Sequence, residues 1–256
     1  MPGRKVIEIF ATGSRPERPT IEVRAGELAT IVREAASALI QAGEGIYQRA
    51  GQLVRIVRLE APKPEHGIRR SSGSAVIVPV DREWMQLACS RAANWTRYDS
   101  RSKRHIPTDP PTKVCAALLA ASGEWPFPHL KGIVTAPTLR ADGSLLDKPG
   151  FDDASNIFAT FAEGEFPPID AKPSRAAAEN AMAMLRDVFE EFDCATGPNG
   201  IHASVLLAAF ITAAVRPALE TAPAFGLSAH KAGSGKTTAA MVFAQAVLGH
   251  NPAVIC

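Results

Sequence analysis

Hydrophobic and polar positions along this chain fall into two textures. In the first, the period switches quickly. Ile21-Glu22-Val23-Arg24 alternates and predicts a short strand, whereas residues 26–41 place Leu28, Ile31, Val32, Ala35, Leu39 and Ile40 at helical spacing. Ile46-Tyr47-Gln48-Arg49 and Leu53-Val54-Arg55-Ile56-Val57-Arg58 flank Ala50-Gly51-Gln52, a hairpin pattern that sets its arginines on an outer face. Residues 61–74 read as a loop and 75–80 as a strand, and Asp81 is placed to cap a helix over 82–93. Asp109-Pro110-Pro111 opens a further helix through Val114, Ala117, Leu118 and Leu119. A strand over 132–136 and a hairpin turning at Asp142-Gly143 follow. Residues 1–20, rich in Pro, Gly and Arg, read as loose.

The second texture begins after Pro167, Pro168 and Pro173, which mark a linker. Ser174 can cap a helix over 175–192, with Ala178, Met182, Leu185, Val188, Phe189 and Phe192 on its apolar side. The nearly all-apolar run 201–215 predicts a buried helix, ended by Arg216-Pro217. Residues 225–228 predict a short buried strand. Residues 238–248 predict a helix carrying Val242, Ala246 and Leu248, with Gly249 as its stop, and 253–256 is strand-like. The fold class expected is mixed α/β and α+β. A small strand–helix–hairpin unit occupies 1–74 and a second α+β region 75–168. A helical segment over 169–256 leads into the start of an incomplete P-loop NTPase α/β domain.

Between residues 225 and 248 lies the chemistry. Gly233-Ser234-Gly235-Lys236-Thr237-Thr238 has the form of the end of a phosphate-binding loop, between a predicted strand and a predicted helix. Glycines there let backbone N–H groups converge on phosphate oxygens, and the helix start adds its positive dipole end. Lys236 is placed to reach the β- and γ-phosphates of ATP as the catalytic cation, and the Thr237 hydroxyl to ligate Mg²⁺. His230, Lys231 and Ala232 complete the loop with Gly233, Ser234, Gly235, Lys236, Thr237 and Thr238; the full pattern has Gly where His230 stands. The competing reading is a glycine-rich turn before a core helix. Hydrolysis also needs an acidic residue on a later strand, a water-positioning group and an arginine finger. None follows the loop before Cys256, so the expectation is a fragment or a truncated product.

Composition changes this picture little. A formal net charge of +2 neither demands nor excludes a nucleic-acid partner. The four cysteines are widely spaced without a Cys-x-x-Cys pair, which argues against a zinc site or disulfide framework and for reduced thiols in the cytoplasm. The apolar run 201–215 is shorter than the roughly 20 residues a bilayer span takes, so no membrane partner is expected. The six histidines (His66, His105, His129, His202, His230, His250) show no metal-ligand spacing, and no Asp-x-Asp pair occurs. Asp152-Asp153 and Glu190-Glu191 read as turn and surface acids. The run from Trp95 to His105 holds four Arg/Lys and two aromatics. It reads either as a nucleic-acid contact with Trp95 or Tyr98 stacking, or as a solvated hairpin with its aromatics in the core, the second being favoured.

The ordered set Asp109-Pro110-Pro111, Leu130-Lys131-Gly132-Ile133-Val134-Thr135-Ala136-Pro137-Thr138-Leu139, Asp142-Gly143-Ser144-Leu145-Leu146 and Pro149-Gly150-Phe151-Asp152, then two helices and the glycine loop, resembles the primase-helicase-like P-loop proteins of prophages and plasmids. Arg216-Pro217-Ala218 and Thr221-Ala222-Pro223 fit the same order, and the resemblance covers about residues 75–250. It implies a replication-associated ATPase akin to poxvirus-type and superfamily 3 helicases, acting on DNA as a homo-oligomeric ring with nucleotide between subunits. Gly233, Gly235, Lys236 and Thr237 would match that family's nucleotide loop. ATPase or helicase activity is expected if the complete chain continues past residue 256. The alternatives are a nucleotide-binding module without hydrolysis and, third, a kinase-like phosphotransferase, for which no lid or acceptor residues stand out.

Overall fold

The computed structural model of the chain describes residues 6–8, 17–60, 68–69, 72–170, 172–190, 200–228, 231, 233–249, 252 and 254–255. In chain order the strands and helices are β1 (Val6–Glu8), β2 (Thr20–Val23), α1 (Leu28–Gln41), β3 (Ile46–Arg49), β4 (Gln52–Leu59), β5 (Ile68–Arg69), β6 (Ala75–Pro79), α2 (Arg82–Ala92), β7 (Asn94–Asp99), β8 (Arg104–Pro107) and α3 (Thr112–Ala120). They continue with β9 (Gly132–Val134), β10 (Thr138–Leu139), β11 (Leu145–Leu146), β12 (Gly150–Asp152), β13 (Ile157–Ala159), α4 (Arg175–Asp187), α5 (Ile201–Ala214), α6 (Lys236–Leu248) and β14 (Val254–Ile255). Helices and strands mix in several small sheets, so the class is mixed α/β and α+β. Two compact units result: residues 1–61 with 72–132, and residues 62–71 with 133–256. The divisions drawn from composition fall at 74 and 168. Contacts group differently because β6 pairs with β4 across the first of these points.

In the first unit β4 is the central strand. It pairs antiparallel with β6 along one edge, and with β3 and β1 along the other. The β3–β4 turn has two residues, Ala50 (φ 48°) and Gly51 (φ 74°), both left-handed as a tight hairpin of this length requires. The arginines do not share an outer face. Arg55 and Arg58 are three residues apart and so point to opposite faces; Arg55 lies over the Trp84 ring at 4.8 Å, and Arg58 donates to the Gly73 carbonyl. A second sheet runs β2–β7–β8, with β2 parallel to β7 and β7 antiparallel to β8. The expected looseness of residues 1–20 does not hold at Val6–Glu8, where β1 joins β4.

Helices α1, α2 and α3 pack on one another over a core that includes Ile31, Leu39, Met85, Ala88 and Leu118. On α1 the buried face is Ile31, Ala35, Ala38 and Leu39, whereas Leu28 and Ile40, at the helix ends, are exposed. Asp81 caps α2 as expected, its Oδ1 accepting from the Trp84 N–H at 2.7 Å. Glu44 is buried and held by the Arg91 guanidinium at 2.6 Å. Cys89 and Cys115 are free thiols in the core, and their mutual hydrogen bond pushes the Cys89 thiol up and Cys115 down. Cys194 and Cys256 lie outside the described residues.

In the second unit β9, β13 and β12 form one sheet and β10–β11 the expected hairpin around Asp142-Gly143. Asp152 is more than a turn acid. Arg140 grips it with two guanidinium nitrogens at 2.7 and 3.0 Å, and Ser155 donates to it from both backbone and hydroxyl. The Arg140 hydrogen bonds, with those of Ser155, hold the Asp152 carboxyl well below the usual carboxylate range. A group with a depressed folded-state pKa stabilises above its unfolded pKa, near 4, and that contribution is lost as pH falls toward the folded value. Arg140→Ala is therefore expected to cost about 1–2 kcal/mol at pH 7, and the penalty shrinks below about pH 4. Urea denaturation of both proteins at pH 7 and pH 3 checks this; an undiminished penalty at pH 3 contradicts it.

Candidate functional site

The helix that carries the loop is positioned by a short relay of contacts. Buried Thr138 on β10 donates through Oγ1 to the Ala214 carbonyl, at 2.9 Å, and so ties the hairpin to the last turn of α5. From α5, Phe210 meets Phe243 of α6 and Phe189, just after α4, edge to face; the three ring-centroid distances are 5.2, 5.8 and 6.0 Å. Ala239, in the first turn of α6, is buried, and its N–H closes onto the Gly235 carbonyl at 2.8 Å. At the other end Gly249 takes φ 70° and stops the helix, as expected. A Cβ there would sit 3.3 Å from the Phe166 ring.

At its N-terminal end α6 begins at Lys236, two residues earlier than the sequence pattern gives. Gly233 (φ 76°) and Gly235 (φ 81°) are both left-handed, a conformation that costs any L-residue about 1–2 kcal/mol. Gly235 is the N-cap and has no side chain to cap with, so the first-turn N–H groups are left for another acceptor. Lys236 folds back over the loop: its Nζ donates to the Lys231 carbonyl at 3.3 Å and to Ser234 Oγ at 3.0 Å. Both acceptors are neutral oxygens, so the ammonium charge is held without a counter-ion there. Thr237 and Thr238 are exposed on the first turn, and no side-chain hydrogen bond engages them among the described residues.

The sequence-derived set is therefore brought together as one loop at Lys231, Gly233, Ser234, Gly235, Lys236, Thr237 and Thr238, whereas His230 and Ala232 lie outside the described residues. Two expectations around it fail. Residues 225–228 form no strand, and Phe225 and Leu227 are exposed. A strand needs ladder partners, and none pairs with this run among the described residues. Helix α5 is not buried either. Only Leu206 and Ala209 are covered, with Ile201, Val205 and Ile211 exposed. The run over 254–255 is indeed a strand, paired antiparallel with β5.

What sequence reasoning missed is the aromatic anchor. Phe210 and Phe243 went unremarked because each sits alone in an alanine-rich helix; their signal was that they are the only aromatic residues of α5 and α6. Of the two aromatics in the basic run, Trp95 is core, donating through Nε1 to the Cys89 carbonyl at 2.9 Å, and Tyr98 is exposed. No group of His, Cys, Asp or Glu suited to a metal ion occurs among the described residues, and none of their helices is long and apolar enough to cross a membrane. Comparison with protein-family models, curated proteins and solved structures finds no match to this chain.

Proposed function

We propose that the chain binds a nucleoside triphosphate, ATP, at residues 230–238 and serves as part of a replication-associated ATPase of the helicase or primase type, working on DNA in the cytoplasm as a homo-oligomeric ring. One observation carries the nucleotide reading: an uncapped helix start preceded by two left-handed glycines, with Lys236 folded over the loop onto neutral oxygens. Such a loop offers converging N–H donors and an unneutralised cation, the two things a triphosphate requires. The assignment to replication rests on the ordered resemblance over residues 75–250.

The donor set also fits Mg²⁺ bound with the nucleotide. Thr237 supplies a free hydroxyl oxygen on the first turn, a hard ligand of the kind Mg²⁺ takes alongside phosphate oxygens. When bound, the ion would offset phosphate charge. The chain's own part is to seat the phosphates on the Gly233–Thr238 backbone and to hold Lys236 against them. ATP turnover, measured on the protein with and without DNA, tests the reading. DNA-stimulated hydrolysis supports the motor; saturable ATP binding without turnover under either condition makes the chain a nucleotide-binding module instead.

Gly233→Ala is expected to weaken ATP binding about 5- to 30-fold, because the empty loop relaxes from a strained left-handed alanine and binding must restore it. A Cβ at Gly233 meets nothing within 4 Å, so an effect of this size reports backbone strain rather than a clash. Equilibrium titration with a fluorescent ATP analogue measures it, and unchanged affinity contradicts the loop geometry.

A further inference from the structure

The β7–β8 hairpin carries a surface that the nucleotide site does not use. Register sets its two faces. Ile21 and Trp95 pair and point into the core, so Glu22, Thr96 and Tyr98, with His105 and Pro107 opposite, stand on the outer face. Tyr98 is 54% exposed, an unusual place for a large ring with a core available beneath it. It meets His105 edge to face at 5.5 Å, and the His105 Nδ1 lies 3.4 Å from a Glu22 carboxylate oxygen. The ring is thus a platform on an outer sheet face.

At the tip of this hairpin the charge is one-sided. Arg101 and Lys103, in the turn beyond Tyr98, are exposed and held in no ion pair among the described residues, whereas Arg97 and Arg104, also exposed, alternate to the reverse face. The one carboxylate of the hairpin, Asp99, is turned into its own loop. It accepts from the Arg101 and Ser102 N–H groups and from the Ser102 hydroxyl, and these Ser102 bonds keep it ionised to lower pH than an ordinary Asp. Glu22, the acid on the Tyr98 face, is already engaged by Arg24 at 2.9 Å. The β8 edge is free of any further strand among the described residues.

We infer that this hairpin is a docking surface for a single strand of nucleic acid, with a base stacked on Tyr98 and phosphates on Arg101 and Lys103 of the adjoining turn. The partner follows from the combination. A polyanion alone would explain the cations, and an apolar partner the ring; only unstacked bases on a phosphate backbone ask for both side by side. A closed duplex hides its base faces and would leave Tyr98 idle. The inference stands on the first unit's own geometry and does not depend on the nucleotide loop.

Fluorescence anisotropy with labelled dT and U oligonucleotides, without ATP, tests it on the full chain. Tyr98→Ala is expected to weaken binding about 5-fold or more and Tyr98→Phe to restore it, since stacking needs the ring and not the hydroxyl. Combined Arg101→Gln and Lys103→Gln is expected to lower the slope of log affinity against log salt by about 1.4. All these side chains are exposed, and an unchanged circular-dichroism melt establishes that the variants fold. No binding by the wild-type chain, wild-type affinity in Tyr98→Ala, or equal affinity for duplex DNA or heparin with no loss in Tyr98→Ala would each overturn the proposal.

Discussion

Replacing Lys236 with Ala is expected to reduce ATP affinity at least 30-fold while leaving the melting behaviour of the chain unchanged. The side chain is half-buried, and its Nζ makes two exposed hydrogen bonds, to the Lys231 carbonyl and the Ser234 hydroxyl. Losing those two exposed bonds costs the folded state little. The cost falls on the complex. An ammonium on phosphate oxygens makes charge-assisted hydrogen bonds worth about 2 kcal/mol or more in total, and each 1.4 kcal/mol is tenfold in affinity. Lys236→Arg is expected to fail as well, because a planar fork does not substitute for a compact point charge at the end of a flexible stem. Thr237→Ala gives the contrast. It should weaken binding only in the presence of Mg²⁺ and leave metal-free ATP affinity at the wild-type value. Calorimetric titration of the three variants, with and without Mg²⁺, separates these outcomes, and a Lys236→Ala affinity within threefold of wild type would contradict the site.

The second large effect belongs to the first unit. Trp125→Ala is expected to destabilise it by about 3–5 kcal/mol. The indole is buried, and its Nε1 donates to the Leu118 carbonyl at 2.6 Å, at the end of α3. The same segment is stitched to β3. Gln48 Nε2 donates to the Trp125 carbonyl at 2.9 Å, Gln48 N–H to the Pro128 carbonyl at 2.8 Å, and Leu130 N–H to the Gln48 carbonyl at 2.8 Å. Removing the ring opens a cavity, leaves the Leu118 carbonyl with only the long Ala121 N–H bond at 3.4 Å, and loosens the segment that closes the core, three penalties of the same sign. Trp125→Phe keeps most of the volume and should cost only about 1–2 kcal/mol, mainly through the Leu118 carbonyl. All three tryptophans lie in this unit, so urea denaturation read by indole fluorescence reports on it specifically, and Trp84 and Trp95 remain as probes in the variant. A shift below 1 kcal/mol in Trp125→Ala would show that this segment is not part of the cooperative core.

Most elements were legible because their signals are local. Asp81 before a helix pattern, Ala50-Gly51 between two alternating runs, Ser174 before an alanine-rich helix and Gly249 after the last apolar residue each act within a few residues, and each does so in the structure. What was not legible depends on partners far along the chain. Periodicity marks residues 225–228 and 201–215 as apolar, yet whether a strand or helix is covered depends on what packs against it. Here Phe225, Leu227, Ile201 and Val205 remain exposed. Strict alternation sends Arg55 and Arg58 of β4, three residues apart, to opposite faces, so one shared outer face was never available; both faces of this central strand are largely covered and Arg55 stacks on Trp84. Likewise the grip of Arg140 on Asp152 joins the turn of the β10–β11 hairpin to β12, which no single motif displays. The glycine loop was legible as a sequence because its chemistry is written in consecutive residues. The relay that seats it, from Thr138 to Ala214 and from Phe210 to Phe243, was not.

The most direct measurement is peptide-resolved hydrogen exchange of the full chain with and without Mg²⁺-ATP. Backbone amides across residues 233–238 are expected to slow markedly when nucleotide is added, with Lys236→Ala showing no such protection. Exchange at 233–238 that is indifferent to ATP, or protection confined to another segment, would contradict the assignment of this loop as the nucleotide site.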